Sequence, residues 1–309
     1  MKIRSLPTPL QLKAKVELNE DPKRTAKDIE ALRDWLKKQP HLKLVTISDQ
    51  WLVAFLRGCK FSLERSKEKM DLYYTLRSIV PEFFSNRDPF EPKIQEILKS
   101  GVFLPVTNCA TEDSVRVCLV RIGAFNPSKL HIGDLIKVSF MITEILMHED
   151  DNLSVCGEEV IVDMKNVGVN TLTQWTPTLA KKVITCFEKA LPVRVKGSHM
   201  LNTPAGFEAA YTIFKTFLGE KLKRRVIHNQ DYDALHKIIP KSVLPEEYGG
   251  EDGSLQQLID HWKAKVESYR DWFIEEEKAR SDESLRPGNP KDSSILFGVE
   301  GSFRKLEVD

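Results

Sequence analysis

Between residues 22 and 84, apolar residues recur at intervals of three and four, the spacing of amphipathic helices. One predicted helix presents the face Ile29, Leu32, Trp35 and Leu36, and the next presents Trp51, Leu52, Phe55 and Leu56. Ser48 precedes the second of these helices and Ser62 precedes a third, so both serines are predicted N-caps. The patterns predict a small helical domain, which we place at residues 1–90.

After Gly101 the pattern changes, because Val115, Val117 and Leu119 alternate with other residues as in a strand. Further strands are predicted at 160–162, 193–201 and 225–228, and helices at 130–147, 172–190 and 205–218. Such alternation is typical of helices that flank a partly parallel sheet, so we predict an α/β domain at residues 91–253. The remainder, 254–309, is expected to hold a helix at 255–277 and a mobile polar segment at 281–294.

The predicted helix at 205–218 is amphipathic and runs directly into positive charge. Its apolar face comprises Phe207, Ala210, Tyr211, Ile213, Phe214, Phe217 and Leu218. Asn202, Thr203 and Pro204 favour a helix start, and Gly219 favours its end. The cations that follow are Lys221, Lys223, Arg224 and Arg225. This pairing suits a surface that meets an anionic membrane, although an ordinary core helix with a solvated charged end gives the same pattern.

Composition restricts the partners of the chain. Its 46 basic and 45 acidic residues give a net charge of +1, so the cationic run is local and nucleic acid is not an expected partner. We find no apolar run of signal-peptide or membrane-span length, and we therefore expect a cytosolic protein. The 5 cysteines are widely spaced in mostly apolar surroundings, which favours reduced core thiols over disulfides or a zinc site.

Catalytic motifs are missing from the sequence. It has no phosphate-binding glycine loop, no Gly-x-Ser-x-Gly and no metal-ligand spacing, so we expect no catalytic residue, metal or cofactor. Two predicted helices instead carry apolar stripes, one of them with hydroxyls: Ile136, Ser139, Phe140 and Thr143 on the first, and Leu179, Val183, Cys186 and Phe187 on the second. Such stripes suit the enclosure of an apolar molecule with one polar end, and a packed core is the alternative.

Several ordered segments carry a resemblance to a known family. They include FLRGCKF at 55–61, IVD at 161–163, LPVRVKG at 191–197, FLGEK at 217–221 and LPEEYGG at 244–250. On these segments the chain resembles the CRAL-TRIO lipid carriers, and within them the alpha-tocopherol transfer protein group. The resemblance implies an N-terminal helical bundle followed by an α/β domain with a mixed, largely parallel sheet, a hydrophobic cavity and a mobile gate helix at 205–218.

The resemblance also implies residue roles. The cavity wall corresponds to Ile136, Ser139, Phe140, Thr143, Val183, Cys186, Phe187, Val193 and Ser198, with Ser139 and Thr143 as polar contacts. We add Leu179 and Val162 from the apolar helix stripe and the predicted strand. The phosphoinositide patch of the group falls on Arg57, Arg194, Lys196, Lys221 and Arg225. Tocopherol proteins have serine, leucine and isoleucine where Thr143, Phe187 and Ser198 stand here, which implies a pocket of different shape and polarity.

We therefore expect a cytosolic carrier that binds one hydrophobic molecule, such as a tocopherol-like, retinoid or other isoprenoid lipid, in a gated cavity. It would exchange this ligand during transient, peripheral contact with phosphoinositide-containing membranes. The alternative is a regulatory or scaffold module that binds phosphoinositides without moving cargo. A hydrolase or nucleotide enzyme would need a site that the sequence does not contain.

Overall fold

The computed structural model describes residues 3–229 and 231–298. Its helices are α1 (Thr8–Leu18), α2 (Pro22–Lys37), α3 (Asp49–Gly58), α4 (Leu63–Ile79), α5 (Pro81–Phe84), α6 (Pro92–Ser100), α7 (Ile132–Glu149), α8 (Asp151–Cys156), α9 (Val169–Leu172), α10 (Pro177–Ile184), α11 (Phe207–Phe217), α12 (Glu220–Lys223), α13 (Tyr232–His236), α14 (Leu255–Ser268), α15 (Arg270–Glu276) and α16 (Ser293–Phe297). Its strands are β1 (Leu42–Lys43), β2 (Phe103–Pro105), β3 (Arg116–Arg121), β4 (Glu158–Asp163), β5 (Val195–Leu201), β6 (Val226–His228) and β7 (Arg280–Ser281).

The larger sheet of the described chain has the strand order β2-β3-β4-β5-β6. Strand β2 runs antiparallel to β3, whereas β3, β4, β5 and β6 pair in parallel. Parallel neighbours need long crossover connections, and helices supply them here. The prediction of a mixed, largely parallel α/β sheet is confirmed. The short strands β1 and β7 form a separate antiparallel pair.

The N-terminal helices begin where the sequence predicts. Ser48 Oγ accepts a hydrogen bond from the amide of Trp51 at 3.1 Å, and Ser62 Oγ accepts one from the amide of Arg65 at 3.5 Å. These bonds satisfy amides at the starts of α3 and α4 that have no partner within the helix. Helix α1 has no counterpart among the predicted helices, although its buried positions, Leu10, Ala14 and Leu18, recur every four residues.

A buried charged cluster fixes α7 against the N-terminal helices. Glu144 of α7 accepts a hydrogen bond from Tyr73 Oη at 2.6 Å and pairs with the guanidinium groups of Arg77 and Arg87. All four side chains are buried. Opposite charges in contact offset much of the cost of removing them from water. The cluster therefore holds in place the helix that carries four of the eleven predicted cavity-wall residues.

The prediction of one continuous helix over 172–190 is wrong. Helix α9 ends at Leu172, and α10 begins at Pro177, where Thr176 Oγ1 accepts a hydrogen bond from the amide of Leu179 at 3.1 Å. Proline suits this first helical position, because no intrahelical partner awaits its missing N–H. Residues Thr185–Ala190 then form a π-helical turn, a rare form that occurs mostly at functional sites.

The C-terminal segment is attached to the body, so the expectation of a mobile stretch over 281–294 is wrong. Arg286 donates to both carboxylate oxygens of Asp71 at 2.9 and 3.0 Å. Phe297 is buried, and its carbonyl accepts a hydrogen bond from Lys181 Nζ of α10 at 2.7 Å. The helix predicted at 255–277 divides at Tyr269 into α14 and α15. The last residues of the predicted 254–309 unit lie outside the described residues.

Candidate functional site

The two faces of the central strands are filled to different degrees. Ile161 of β4 and its register partners Leu119 and His199 are fully buried on one face. On the opposite face, Val160 and Val162 of β4 are only half-buried. Strands of a parallel sheet are normally covered on both sides. Space therefore remains over one face of this sheet at its centre.

The predicted cavity-wall residues fall on three parts of the fold: α7, α10 together with the π-helical turn, and the sheet. On α7, Ile136, Ser139, Phe140 and Thr143 are buried; on α10 and the π-helical turn, Leu179, Val183 and Cys186 are buried and Phe187 is half-buried; on and beside the sheet, Val162, Val193 and Ser198 are half-buried. The rings of Phe140 and Phe187 stack with centroids 4.5 Å apart and so join the first two elements. Val162 and Ser198 lie on the half-filled face, because Ser198 pairs with Val160.

The two predicted polar contacts already have acceptors. Ser139 Oγ donates to the carbonyl of Leu135 at 3.0 Å, and Thr143 Oγ1 donates to the carbonyl of Ser139 at 2.8 Å. Both bonds stay within α7, one turn back. The hydroxyl oxygens can still accept a hydrogen bond, but their protons are already donated to carbonyls of α7.

Helix α11 covers part of the half-filled face. Phe207 is buried with Met200, and Tyr211 packs on the same cluster, while the Phe214 ring meets Trp175 edge-on at 4.5 Å. The other residues of its predicted apolar face, Ala210, Ile213, Phe217 and Leu218, are half-buried. An apolar helix face that is only partly covered, lying over a sheet face in the same condition, is an arrangement that can enclose an apolar molecule.

A glycine lies at each end of α11. Gly206, at the start, has φ of +84°, a left-handed conformation that favours glycine. The N-cap is therefore Gly206 and not one of residues 202–204, and the helix begins two residues after the predicted position 205. The amide of Gly219 donates to Glu188 Oε2 of the π-helical turn at 3.1 Å. A Cβ at position 219 would overlap Glu188 Oε1. The end of α11 is thus held by one carboxylate.

Beside Gly219 lies a cleft of about 490 Å³ between α4, the π-helical turn, the start of β5 and α12. Its charged lining residues are Arg65, Glu68, Lys69, Glu158, Glu188, Lys189, Arg194, Lys221 and Arg225. Phe187 and Val193 of the predicted cavity wall also line it. Three of the five predicted phosphoinositide ligands therefore meet at a cleft that borders the predicted cavity.

The cations of this cleft lie close enough to repel one another. The pKa of Lys221 is held below its ordinary value, chiefly by the charge of Arg225 and then by burial and by Lys60, Lys196 and Arg194. Burial likewise lowers the pKa of Arg194, whose buried Nε has no hydrogen-bond partner within the described chain. An anion bound among these groups would relieve the repulsion. Lys196 is not part of the cleft lining, and it pairs with Glu17 at 3.5 Å.

Arg57 does not join this group. Its guanidinium is 1% exposed and donates to Glu20 at 2.9 and 3.0 Å and to Asp151 Oδ1 at 3.1 Å. Every one of its terminal nitrogens therefore already has an acidic partner in the interior. The structure places Arg57 as a link between the N-terminal helices and α8, and we omit it from the patch that follows.

The sequence-based reasoning missed two residues of this region, Glu158 and Glu188. Glu158 lies two residues before the strand predicted at 160–162, so extending the period-two alternation of that strand places Glu158 on the face of Val160 and Val162. Glu188 gave no such signal, because its position depends on the π-helical turn.

All 5 cysteines are free, and Cys109 is the one that is not fully buried.

No helix within residues 3–229 and 231–298 is long and apolar enough to span a bilayer.

Fold and site define a class: an α/β protein with N-terminal helices, a half-filled sheet face under an apolar helix, and a cationic cleft at that helix's end. A family model described as CRAL/TRIO domain matches residues 106–250, and one described as Pinta-like, UBA domain matches residues 21–94. The human protein named Alpha-tocopherol transfer protein-like (Homo sapiens) is 33% identical over 274 residues, 88% of this chain and 78% of that protein. The chain belongs to the CRAL-TRIO family of lipid-binding and lipid-transfer proteins.

Two further proteins are less similar to this chain. Human Clavesin-2 (Homo sapiens) is 28% identical over 287 residues, 89% of this chain and 87% of that protein. The solved structure of Sfh5 aligns with a TM-score of 0.49 at 16% identity, covering 84% of this chain and 92% of that one.

Proposed function

We propose that the protein is a non-enzymatic carrier that encloses one hydrophobic molecule, of the tocopherol, retinoid or other isoprenoid kind, between α7, α10, the sheet and α11. The observation that supports this most is the half-filled face of the central strands beneath α11. A relative at 33% identity bears the name Alpha-tocopherol transfer protein-like, which agrees with the proposed cargo class. The carrier would work in the cytosol and touch membranes transiently.

The energetics favour a gate, meaning α11 with Leu218, that stays closed in water. Phe207 is buried, and Tyr211, Ile213, Phe214, Phe217 and Leu218 are half-buried. Full burial of one such side chain is worth about 1.5–3 kcal/mol, so lifting the gate into water costs roughly 5–10 kcal/mol. At a bilayer the same side chains enter the headgroup and acyl region, which offsets most of that cost.

The cations select the membrane in this proposal. Arg194, Lys221 and Arg225 line the cleft at the end of the gate, and Lys196 lies close enough to influence Lys221. Each cation near an anionic surface contributes about 1 kcal/mol, and a phosphoinositide headgroup concentrates several phosphates at one point. Headgroup binding in the cleft would hold the gate against the bilayer while cargo exchanges.

The test is transfer of a fluorescent tocopherol analogue and of retinol from loaded protein to vesicles with or without phosphatidylinositol bisphosphate. We compare the native chain with the Arg194→Ala, Lys221→Ala double variant. The matched control, Arg24→Ala with Lys37→Ala, removes the same charge from the exposed surface of α2. We expect phosphoinositide to accelerate transfer by the native and control proteins about tenfold, and the cleft variant to lose this acceleration.

Equal rates for all proteins on both vesicles would refute the phosphoinositide step. The cleft also favours a second function, a phosphoinositide-binding scaffold without cargo. Organic extraction of the purified protein decides between the two. Absence of stoichiometric lipid, together with failure to take up either probe while vesicle binding persists, would establish the scaffold.

A further inference from the structure

Glu158 is a buried acid at the junction of the cationic cleft and the half-filled sheet face. It is the first residue of β4, and alternation places it on the same side as Val160 and Val162. The residue is 6% exposed, yet it lines the cleft together with Phe187 and Val193. A carboxyl group in this position faces space bordered by the predicted cavity wall.

The carboxyl has one weak partner. Cys118 Sγ of β3 donates to Glu158 Oε2 at 3.5 Å, and no ion pair joins Glu158 to a cation among the described residues. A polar group removed from water without a full set of hydrogen bonds destabilises the fold, and a charged one does so more strongly. Burial, with a smaller contribution from the charge of Glu159, accordingly raises the pKa of Glu158 to about 7, although the hydrogen bond from Cys118 acts in the opposite direction.

Three nearby cations, Lys69, Arg116 and Arg194, donate to acceptors other than Glu158. Lys69 of α4 donates to the carbonyls of Glu188, Lys189 and Leu191. Arg116 of β3 pairs with Asp150 at 2.5 Å, and Arg194 donates to the carbonyls of Ser154 and Val155. With these groups fixed, the charge of Glu158 responds to whatever occupies the space in front of it.

We propose that Glu158 is the polar anchor of the cargo, and that the cargo is a lipid alcohol whose hydroxyl donates to the Glu158 carboxyl. This inference rests on the proposed carrier function. A hydroxyl suits the site because it donates to the carboxylate and, when the acid is protonated, accepts from it as well. An ether or ester of the same lipid cannot donate, and it would leave the carboxylate unsatisfied. The hydroxyls of Ser139 and Thr143 are the rival anchors, and they can only accept, because their protons are bound within α7.

An aldehyde distinguishes the two protonation states. Its oxygen only accepts, so it binds well when Glu158 is protonated and poorly when Glu158 is ionised. Affinity for an aldehyde should therefore fall as the pH rises from 6 to 8, while affinity for the matching alcohol changes little. The other charged or titratable groups around Glu158 are Cys118 and Arg116 of β3 and the cleft residues Arg65, Glu68, Lys69, Glu188, Lys189, Arg194, Lys221 and Arg225. Alcohol and aldehyde are both uncharged, so these groups act on the two ligands alike and do not produce a difference between them.

The experiment measures dissociation constants of delipidated full-length protein for α-tocopherol and its methyl ether, and for retinol, retinyl methyl ether and retinal, at pH 6 and pH 8. We expect the native protein to prefer each alcohol it binds over its ether by about 10- to 100-fold at pH 8. Glu158→Leu, which replaces a buried acid with an apolar side chain of similar size, should fold and lose this preference while binding the ether unchanged. Glu158→Gln keeps an acceptor and adds a permanent donor, so the preference for alcohol over ether should shrink and retinal affinity should become independent of pH.

Ser139→Ala is the matched control on α7 and should retain the native preference. Loss of the preference in Ser139→Ala but not in Glu158→Leu would overturn the assignment in favour of α7. Equal binding of alcohol and ether by the native protein would overturn the anchor and leave the carrier proposal standing. Binding of none of these probes, with no extractable lipid, would refute the carrier proposal and the anchor with it.

Discussion

Removal of the Arg57 side chain tests whether this cation belongs to the fold or to the membrane site. Arg57 donates twice to Glu20 and once to Asp151, and both carboxylates are largely buried. Replacement by alanine leaves Glu20 as a buried charge without its partner. Breaking a buried pair in this way typically costs about 3–5 kcal/mol. We therefore expect Arg57→Ala to lower the free energy of unfolding by about that amount in urea titrations.

The control for this prediction removes the exposed arginine that pairs with the same carboxylate, Asp151. Arg4 also pairs with Asp151, at 3.1 Å, but its side chain is 42% exposed. Exposed pairs contribute about 0–1 kcal/mol, so Arg4→Ala should leave the urea midpoint nearly unchanged. At a temperature where Arg57→Ala remains folded, its binding to phosphoinositide vesicles should match the native protein. A variant of native stability that no longer binds those vesicles would show that Arg57 is a headgroup ligand.

Three further predictions concern the proposed hinge at Gly219, the half-buried His148 and the tail. Gly219→Ala should displace Glu188 from the hinge amide and speed ligand release about tenfold, measured by fluorescence dequenching; an unchanged rate would contradict this role. Burial lowers the pKa of His148 to about 4, so on acidification this imidazole takes up its proton in the unfolded chain before it does so in the folded protein. The free energy of unfolding should therefore fall by about 3 kcal/mol between pH 6.5 and 4. Parallel pH profiles for the native chain and His148→Phe would refute this. Phe297→Ala should cost about 3–5 kcal/mol of stability in urea, and a loss below 1 kcal/mol would mean that α16 does not bind α10 tightly.

Sequence alone predicts the elements whose signals are local. Ser48 and Ser62 mark the starts of α3 and α4, because a cap needs only the residues that follow it. The strands β3, β4 and β5 follow from alternation or from short apolar runs. Their largely parallel pairing follows from the helices between them. The family resemblance adds the order of these elements and the positions of the predicted site.

Features that depend on distant partners escape such reasoning. Arg57 looks like a free cation in the sequence, since its partners lie 37 and 94 residues away. Pro177 is a local signal for the start of a new helix, but the apolar periodicity over 172–190 favoured one continuous helix and the prediction followed the periodicity. The π-helical turn after α10 has no comparable signature in the sequence. In the structure it occurs together with long-range contacts, namely the stacking of Phe187 on Phe140 and hydrogen bonds from Lys69 to carbonyls of the turn.

The two proposed steps of the carrier, headgroup binding and gate opening, meet at Glu188. Its carboxylate holds the amide of Gly219 at the end of α11, and the same side chain lines the cleft that contains Lys221 and Arg225. A phosphate drawn to those cations carries the same sign of charge as Glu188, so its arrival opposes the carboxylate that secures the hinge. In the proposed mechanism an anionic membrane would therefore weaken the bond between Glu188 and Gly219 at the place where the apolar face of the gate can enter lipid. In water that bond would remain and the gate would stay closed.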